Sequence, residues 1–235
     1  MKKPKKITVK FFLNRNLQPI ETEGSERHPL YTQITYDRKN TQIKCAYGWF
    51  YTNMDQVEEE DPHLLMFEEN ILKRSVQFEL DKLGDNFRLK GLGRKYEKYC
   101  VSIHALFNTY LKARFKELLK NAQPEKFLEV LNIEKPNLDF FVIYDASQRL
   151  FDNMKDIIDP EFYEEMSIYQ VYFDVYREAL SDKKYEFPVV IDWLDGGHPK
   201  ELETKLMLAY EGQSAKVEAS IALINKIITT KLELF

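Results

Sequence analysis

The sequence predicts an α+β protein in which a small three-stranded antiparallel sheet at the amino terminus leads into a mostly α-helical body. Three observations point there: alternating β-type segments before residue 52, a change to helical periodicity from about Pro62, and a composition poor in Gly (8) but rich in Phe (16) and Tyr (14). With 44% apolar residues, the 235-residue chain carries enough for one large or two small cores.

The first strand is ITVKFFL at 7–13, where β-branched and aromatic residues crowd together. After the turn-rich segment Asn14 to Pro29, LYTQITYD places Leu30, Thr32, Ile34 and Tyr36 on one side and Tyr31, Gln33 and Thr35 on the other. The tetrad Asp37, Arg38, Lys39, Asn40 separates it from TQIKCAYGWFY, the third strand. From Pro62 a helix is expected with Leu65, Leu72, Val76, Leu80 and Leu83 inward and Gly84 as its stop. After DNFRLKGLG the spacing predicts one long helix from about Arg94 to Lys120. Pro124 opens a short helix to Asn132. DFFVIYD at 139–145 reads as a strand before a helix capped at Asp145 or Ser147. Pro160 starts a helix to about residue 181 on which Phe162, Met166, Tyr169, Phe173, Tyr176 and Leu180 step by 4, 3, 4, 3 and 4. FPVVIDW at 187–193 reads as a strand closed by Asp195, Gly196 and Gly197. Two helices follow, the last with Val217, Ile221, Ile224, Ile228 and Leu232 on one face.

Net charge is only −4, but its distribution is uneven. Residues 1–54 hold 10 Lys/Arg against 4 Asp/Glu, 82–120 hold 10 against 3, and 121–235 hold 12 against 22. This divides the chain into a basic β-rich module (1–60), a basic helical region (61–120) and an acidic helical region (121–235). No run of about 18 apolar residues and no cleavable leader is present, so the expectation is a chain that is neither secreted nor membrane-spanning. Cys45 and Cys100 match no metal-ligand or redox spacing and read as buried free thiols of a reducing compartment.

No residue set specific to catalysis is visible, and a non-enzymatic protein without cofactor is expected. His28, His63, His104 and His198 are far apart, so no metal site is expected. GLG at 91–93 lacks the third glycine of a dinucleotide loop. The pairs Glu164 and Glu165, or Asp152 and Asp156, read as solvated helix faces. Trp49 and Trp193 read as packing residues. The stronger signal is positive charge interleaved with aromatics: Lys10, Arg15, Arg38, Lys39 and Lys44 among Phe11, Phe12, Tyr31, Tyr36 and Tyr47 suit a phosphate backbone. A second set, Arg94, Lys95, Lys98, Lys112, Arg114, Lys116 and Lys120, is expected on one outer face of the long helix.

KITVKFFLNRN, the turn-rich gap, PLYTQITYDRKNTQIKC and the aromatic close at Trp49 resemble the amino-terminal arm-type DNA-binding module of tyrosine recombinases from Bacteroidetes-type phages and conjugative transposons. In that family a helical, SAM-like core-binding domain follows, which the basic helices at 64–120 loosely match. The resemblance covers about residues 1–120. From the two basic blocks, the residues expected to contact DNA are Lys10, Arg15, Arg38, Lys39, Lys44, Arg94, Lys95 and Lys98. The family's catalytic domain has no counterpart: the four histidines are followed three residues on by Tyr31, Met66, Phe107 and Glu201, so no His-x-x-Arg exists, and the last tyrosine, Tyr210, has helix-core spacing.

Two functions follow as expectations. One is a non-catalytic DNA-binding accessory protein of a phage or mobile genetic element in the bacterial cytoplasm, with residues 121–235 recruiting a protein partner or a second copy. The other is a virion structural or assembly component, in which basic and acidic regions of adjacent copies pair and the heptad helix packs in an oligomer.

Overall fold

The computed structural model describes residues 6–22, 24–122, 138–150, 154–177 and 187–233. An α+β architecture is observed, and its residues group into two compact units, Met1–Cys100 with Val189–Asp195, and Val101–Pro188 with Gly196–Phe235. The compositional divisions at 60 and 120 describe charge; the compact units divide after Cys100.

In the first unit the sheet is built on β3 (Ser25–Tyr36), with β1 (Thr8–Leu13) and β4 (Lys39–Lys44) paired to it antiparallel. Two short strands extend this three-stranded core: β2 (Ile20–Thr22) opposite Arg27–Ser25, and β5 (Phe50–Tyr51) opposite Pro29–His28. Register puts Val9, Phe11, Leu13, Leu30, Thr32, Ile34 and Ile43 on one face, of which Leu30, Thr32, Ile34 and Ile43 are buried.

Four helices complete this unit: α1 (Met54–Glu60), α2 (Leu64–Leu83), α3 (Leu92–Tyr99) and α8 (Val190–Leu194). The α1 helix was not expected; the Asn53 side chain caps it by accepting from Gln56 N–H at 2.8 Å. Gly84 ends α2 with φ of +52°, as expected.

The second unit is helical: α4 (Ile103–Ala122), α5 (Phe140–Leu150), α6 (Met154–Ile157), α7 (Pro160–Arg177), α9 (Gly197–Ala209) and α10 (Ser214–Glu233). Its core is largely aromatic, with Phe107, Phe115, Phe140, Phe162, Tyr169 and Tyr172 buried. The stripe expected on α7 is inward: Phe162, Met166, Tyr169 and Tyr176 are buried and Phe173 half-buried.

Three expectations are corrected. The single helix 94–120 is two helices, α3 and α4. The backbone ladder breaks because Ile103 N–H donates to Pro188 O at 2.8 Å, while the Ser102 hydroxyl caps α4 by accepting from Ala105 N–H at 3.1 Å. Residues 139–145 begin helix α5 rather than a strand: Phe140, Ile143 and Ser147 are buried at spacings of 3 and 4, and the cap is Asp139, whose carboxylate accepts from Phe141 N–H at 2.8 Å. Residues 187–193 contain the one-turn α8 rather than a strand, because the Asp192 carboxylate accepts from Val189 N–H at 2.7 Å and Arg74 binds both Asp192 and Asp195. The helix expected at 124–132 lies outside the described residues.

Candidate nucleic-acid interface

Hydrogen-bonded partners across a sheet share a face, so the register also fixes the face opposite the core. Across β1, β3 and β4 it carries three rows: Thr8, Thr35 and Asn40; Lys10, Gln33 and Gln42; Phe12, Tyr31 and Lys44. Lys10, Gln42 and Lys44 are exposed, while Phe12, Tyr31 and Gln33 are half-buried. The Phe12 and Tyr31 rings lie 6.2 Å apart, and Lys44 Nζ stands 5.8 Å from the Phe50 ring centre.

At one end of this face, β3 turns into β4 through Asp37 and Arg38, with φ of +50° and +62° between the paired Tyr36 and Lys39. A two-residue hairpin turn needs left-handed backbone at both central positions, which glycine or asparagine adopts with little cost and arginine does not. The turn therefore holds Arg38 in a strained conformation, exposed at the tip beside exposed Lys39. Arg15, also exposed, follows β1 at the opposite end. None of Lys10, Arg15, Arg38, Lys39 and Lys44 pairs with a carboxylate among the described residues. Glu21 and Glu26 face each other on the β2–β3 ribbon beyond the Arg15 end, and at the other end Asp37 shares the turn with Arg38.

The helical cations behave differently. On α3, Arg94 is exposed, but Lys95 Nζ bonds the buried Glu79 carboxylate, which also accepts from the Tyr99 hydroxyl, and Lys98 is half-buried with a partner of its own. On α4, Arg114 Nε lies 3.4 Å from Glu165 and its Nη2 3.8 Å from Glu161, and Lys112 is buried, which lowers the pKa of its ammonium. With the helix broken at residues 100–102, the single basic face expected over 94–120 does not form.

A second polar cluster sits beneath the sheet. Glu68 of α2 is fully buried; its Oε1 accepts from Tyr47 N–H at 2.7 Å and its Oε2 from the Tyr96 hydroxyl. Desolvation pushes its carboxyl up to about 7, against which the backbone hydrogen bonds from Tyr47 and Ala46 act. Burial, with the Glu68 charge adding to it, pushes the Cys45 and Cys100 thiols up as well, so both stay protonated and are poor nucleophiles. In the second unit His104 lies against the rings of Tyr169, Phe173 and Phe187 and shares a hydrogen bond of 2.9 Å with the Tyr169 hydroxyl. Tyr169 is fully buried and His104 half-buried, and His104 Nε2 lies 4.0 Å from the Asp139 carboxylate, so this cluster ties helices of the second unit together. Among the described residues no three metal-ligating side chains converge.

Sequence reasoning placed the hairpin cations on an outer surface but missed three features. Trp49, expected to pack, is 76% exposed, whereas Trp193 is 7% exposed and packs as expected. Gln33 and Gln42 share the row of Lys10, a placement that only register reveals. Glu68 and Glu79 occupy core positions of α2, where charge would not be sought. No helix among the described residues is long and apolar enough to cross a membrane. Comparison with protein-family models, curated proteins and solved structures finds no match to this chain.

Proposed function

We propose that this chain is a non-catalytic DNA-binding accessory protein of a phage or mobile genetic element that grips duplex DNA with the open face of its sheet. The observation that carries the reading is Lys10 and Lys44 exposed on one face, with Arg38 and Arg15 exposed at its two ends and Lys39 exposed beside the turn on the Tyr36 side, all without carboxylate partners among the described residues. The dimensions suit a duplex. Three strands spaced by about 4.8 Å make a face about 10 Å across, against a major groove about 12 Å wide. Six residues of strand run for about 20 Å, the rise of about six base pairs. Gln33, Gln42 and Asn40 then present amides among the cations, the side-chain type that pairs with the adenine edge. Arg94 adds one further exposed cation; Lys95 and Lys98, already engaged, contribute little. The acidic region 121–235 is read as the protein-recruiting part.

Fluorescence anisotropy with labelled duplexes tests the reading. Five phosphate contacts give a log–log salt slope of about −4 to −5, and Arg38→Glu or Lys39→Glu weakens binding at least tenfold while leaving the helical content unchanged. Absence of binding at low salt, a flat salt response, or indifference to both reversals overturns it. The assembly reading relied on the helix from Pro160 as an oligomer contact, yet that helix turns its apolar stripe into its own unit. A stable multimer in light scattering, shrunk by the same charge reversals, would restore it.

A further inference from the structure

We infer that Trp49 is a stacking residue for an unpaired base of the bound DNA, an inference that rests on the DNA-binding reading above. Of the two tryptophans in the chain, this one stands 76% exposed on the loop between β4 and β5, and no ring contact is made to it among the described residues.

The loop that carries it is anchored rather than loose. Leu30 N–H donates to Trp49 O at 3.2 Å, and Leu30 O accepts from Cys45 N–H at 3.1 Å, so one buried residue of β3 holds both ends of the loop. Between them the Tyr47 ring packs edge-on against Phe67 at 5.1 Å and its N–H bonds Glu68. Gly48 lies so close to the core that an added Cβ would meet Leu30 Cδ2 at 2.9 Å and Cys45 Cβ at 3.1 Å. Cys45, Tyr47 and Gly48 are thus held against the core, and the indole of Trp49 is left outside on an anchored backbone.

Its surroundings select the partner. Phe50, the next residue, lies under Lys44, whose row continues through Tyr31 and Phe12. An exposed tryptophan can also anchor a protein interface, but the cores of such interfaces are depleted in lysine. An exposed indole on an anchored backbone, next in the chain to the Phe50 ring over which Lys44 stands, matches the pattern of nucleic-acid sites in which bases stack on aromatic rings while phosphates meet the positive charge. In a fully paired duplex the base faces are occupied by their neighbours, so the indole needs a base out of the stack, supplied by an extrahelical nucleotide or by a single strand.

The test uses the full chain. In a Trp193→Phe background, emission reports Trp49 alone; three probes of one sequence are titrated, a blunt duplex, the same duplex with one extrahelical nucleotide, and the single strand. Emission should be quenched on the latter two. Trp49→Ala, in both backgrounds, should weaken their binding about 5- to 150-fold with the salt slope unchanged, and Trp49→Phe should recover part of the loss. The probe bound more tightly identifies the source of the base. DNA binding with unaltered emission and full affinity in Trp49→Ala overturns the stacking role while leaving the DNA reading intact. Equal losses on all three probes overturn the need for an unpaired base, and no binding to any probe overturns both readings together.

Discussion

Replacing Glu68 by Gln should abolish a pH dependence of stability that runs opposite to ordinary acid denaturation. The carboxyl is fully buried and desolvation pushes it from 4.5 up to about 7. Below pH 4.5 the folded and unfolded chains both hold this proton, and the site contributes its full stability. Between 4.5 and about 7 the unfolded chain loses the proton first, so stability falls as pH rises, and above 7 the loss is complete. At about 1.4 kcal/mol per tenfold change in proton affinity, the loss is about 3 kcal/mol. Glutamine keeps an oxygen for Tyr47 N–H and presents an amide to the Tyr96 hydroxyl, which can accept, so the variant retains the hydrogen bonds without the charge. Urea unfolding followed by far-ultraviolet dichroism at pH 5, 6, 7 and 8 should show the two proteins within about 1 kcal/mol at pH 5 and the variant ahead by about 2–3 kcal/mol at pH 8. Taking the difference between the proteins removes the other titrating groups. A difference that is flat with pH, or one in which the wild type gains on the variant as pH rises, refutes the reasoning.

Arg74→Ala removes the guanidinium that binds Asp195 at 2.8 Å and also Asp192; a loss of about 1–2 kcal/mol is expected, with faster amide exchange confined to 189–195, and unchanged exchange there refutes it. Gly48→Ala drives a methyl group into Leu30 and Cys45 and should cost about 1–3 kcal/mol, read as a lower thermal midpoint; an unchanged midpoint means the loop shifts freely. Burial lowers the pKa of His104 below its ordinary 6.5, so the neutral ring's contribution is full above 6.5 and is lost as pH falls through the depressed value. Its ring proton resonances should titrate below 6.5, and a midpoint above that refutes burial as the dominant influence.

The parts of the fold legible in the sequence are those set by local periodicity. Alternation in LYTQITYD located β3, and the stepping of Phe162, Met166, Tyr169 and Tyr176 located α7, because each pattern matches the repeat of its own element. The misread segments are short apolar runs, DFFVIYD and FPVVIDW, where four to seven residues satisfy either period. There the outcome was decided by single side chains, Asp139 capping α5 and Asp192 bracing α8 against Arg74, which lies 118 residues away in the chain. The stripe of α2 was misplaced for a related reason. Leu72 and Val76 are buried as expected, but Leu65 and Leu80 are half-buried and Leu83 exposed while Glu68 and Glu79 sit in the core, held by Tyr47, Tyr96, Lys95 and Tyr99, so hydropathy alone set the stripe slightly off the buried face.

The same distinction between local and distant partners separates the cations that remain available from those that do not. A two-residue turn at Asp37 and Arg38 fixes the neighbours across β3 and β4: Lys44 faces Tyr31, Lys39 faces Tyr36, and on β1 Lys10 faces Gln33. None of these neighbours is acidic, so once the turn is recognised the sequence itself implies that Lys10 and Lys44 share a face with no carboxylate opposite them, while Lys39 lies on the Tyr36 side. For the helical cations no such rule exists. Lys95 meets Glu79 from 16 residues upstream, and Arg114 meets Glu165 from 51 residues downstream, pairings that depend on how helices pack. Charge counted along the chain weighted both sets equally, whereas the fold leaves the hairpin set facing solvent, beside the one tryptophan that packing does not use. On the proposed DNA-binding reading, reversal of hairpin charges should therefore weaken binding far more than reversal of Lys95 or Arg114, whose loss would appear first as lower stability.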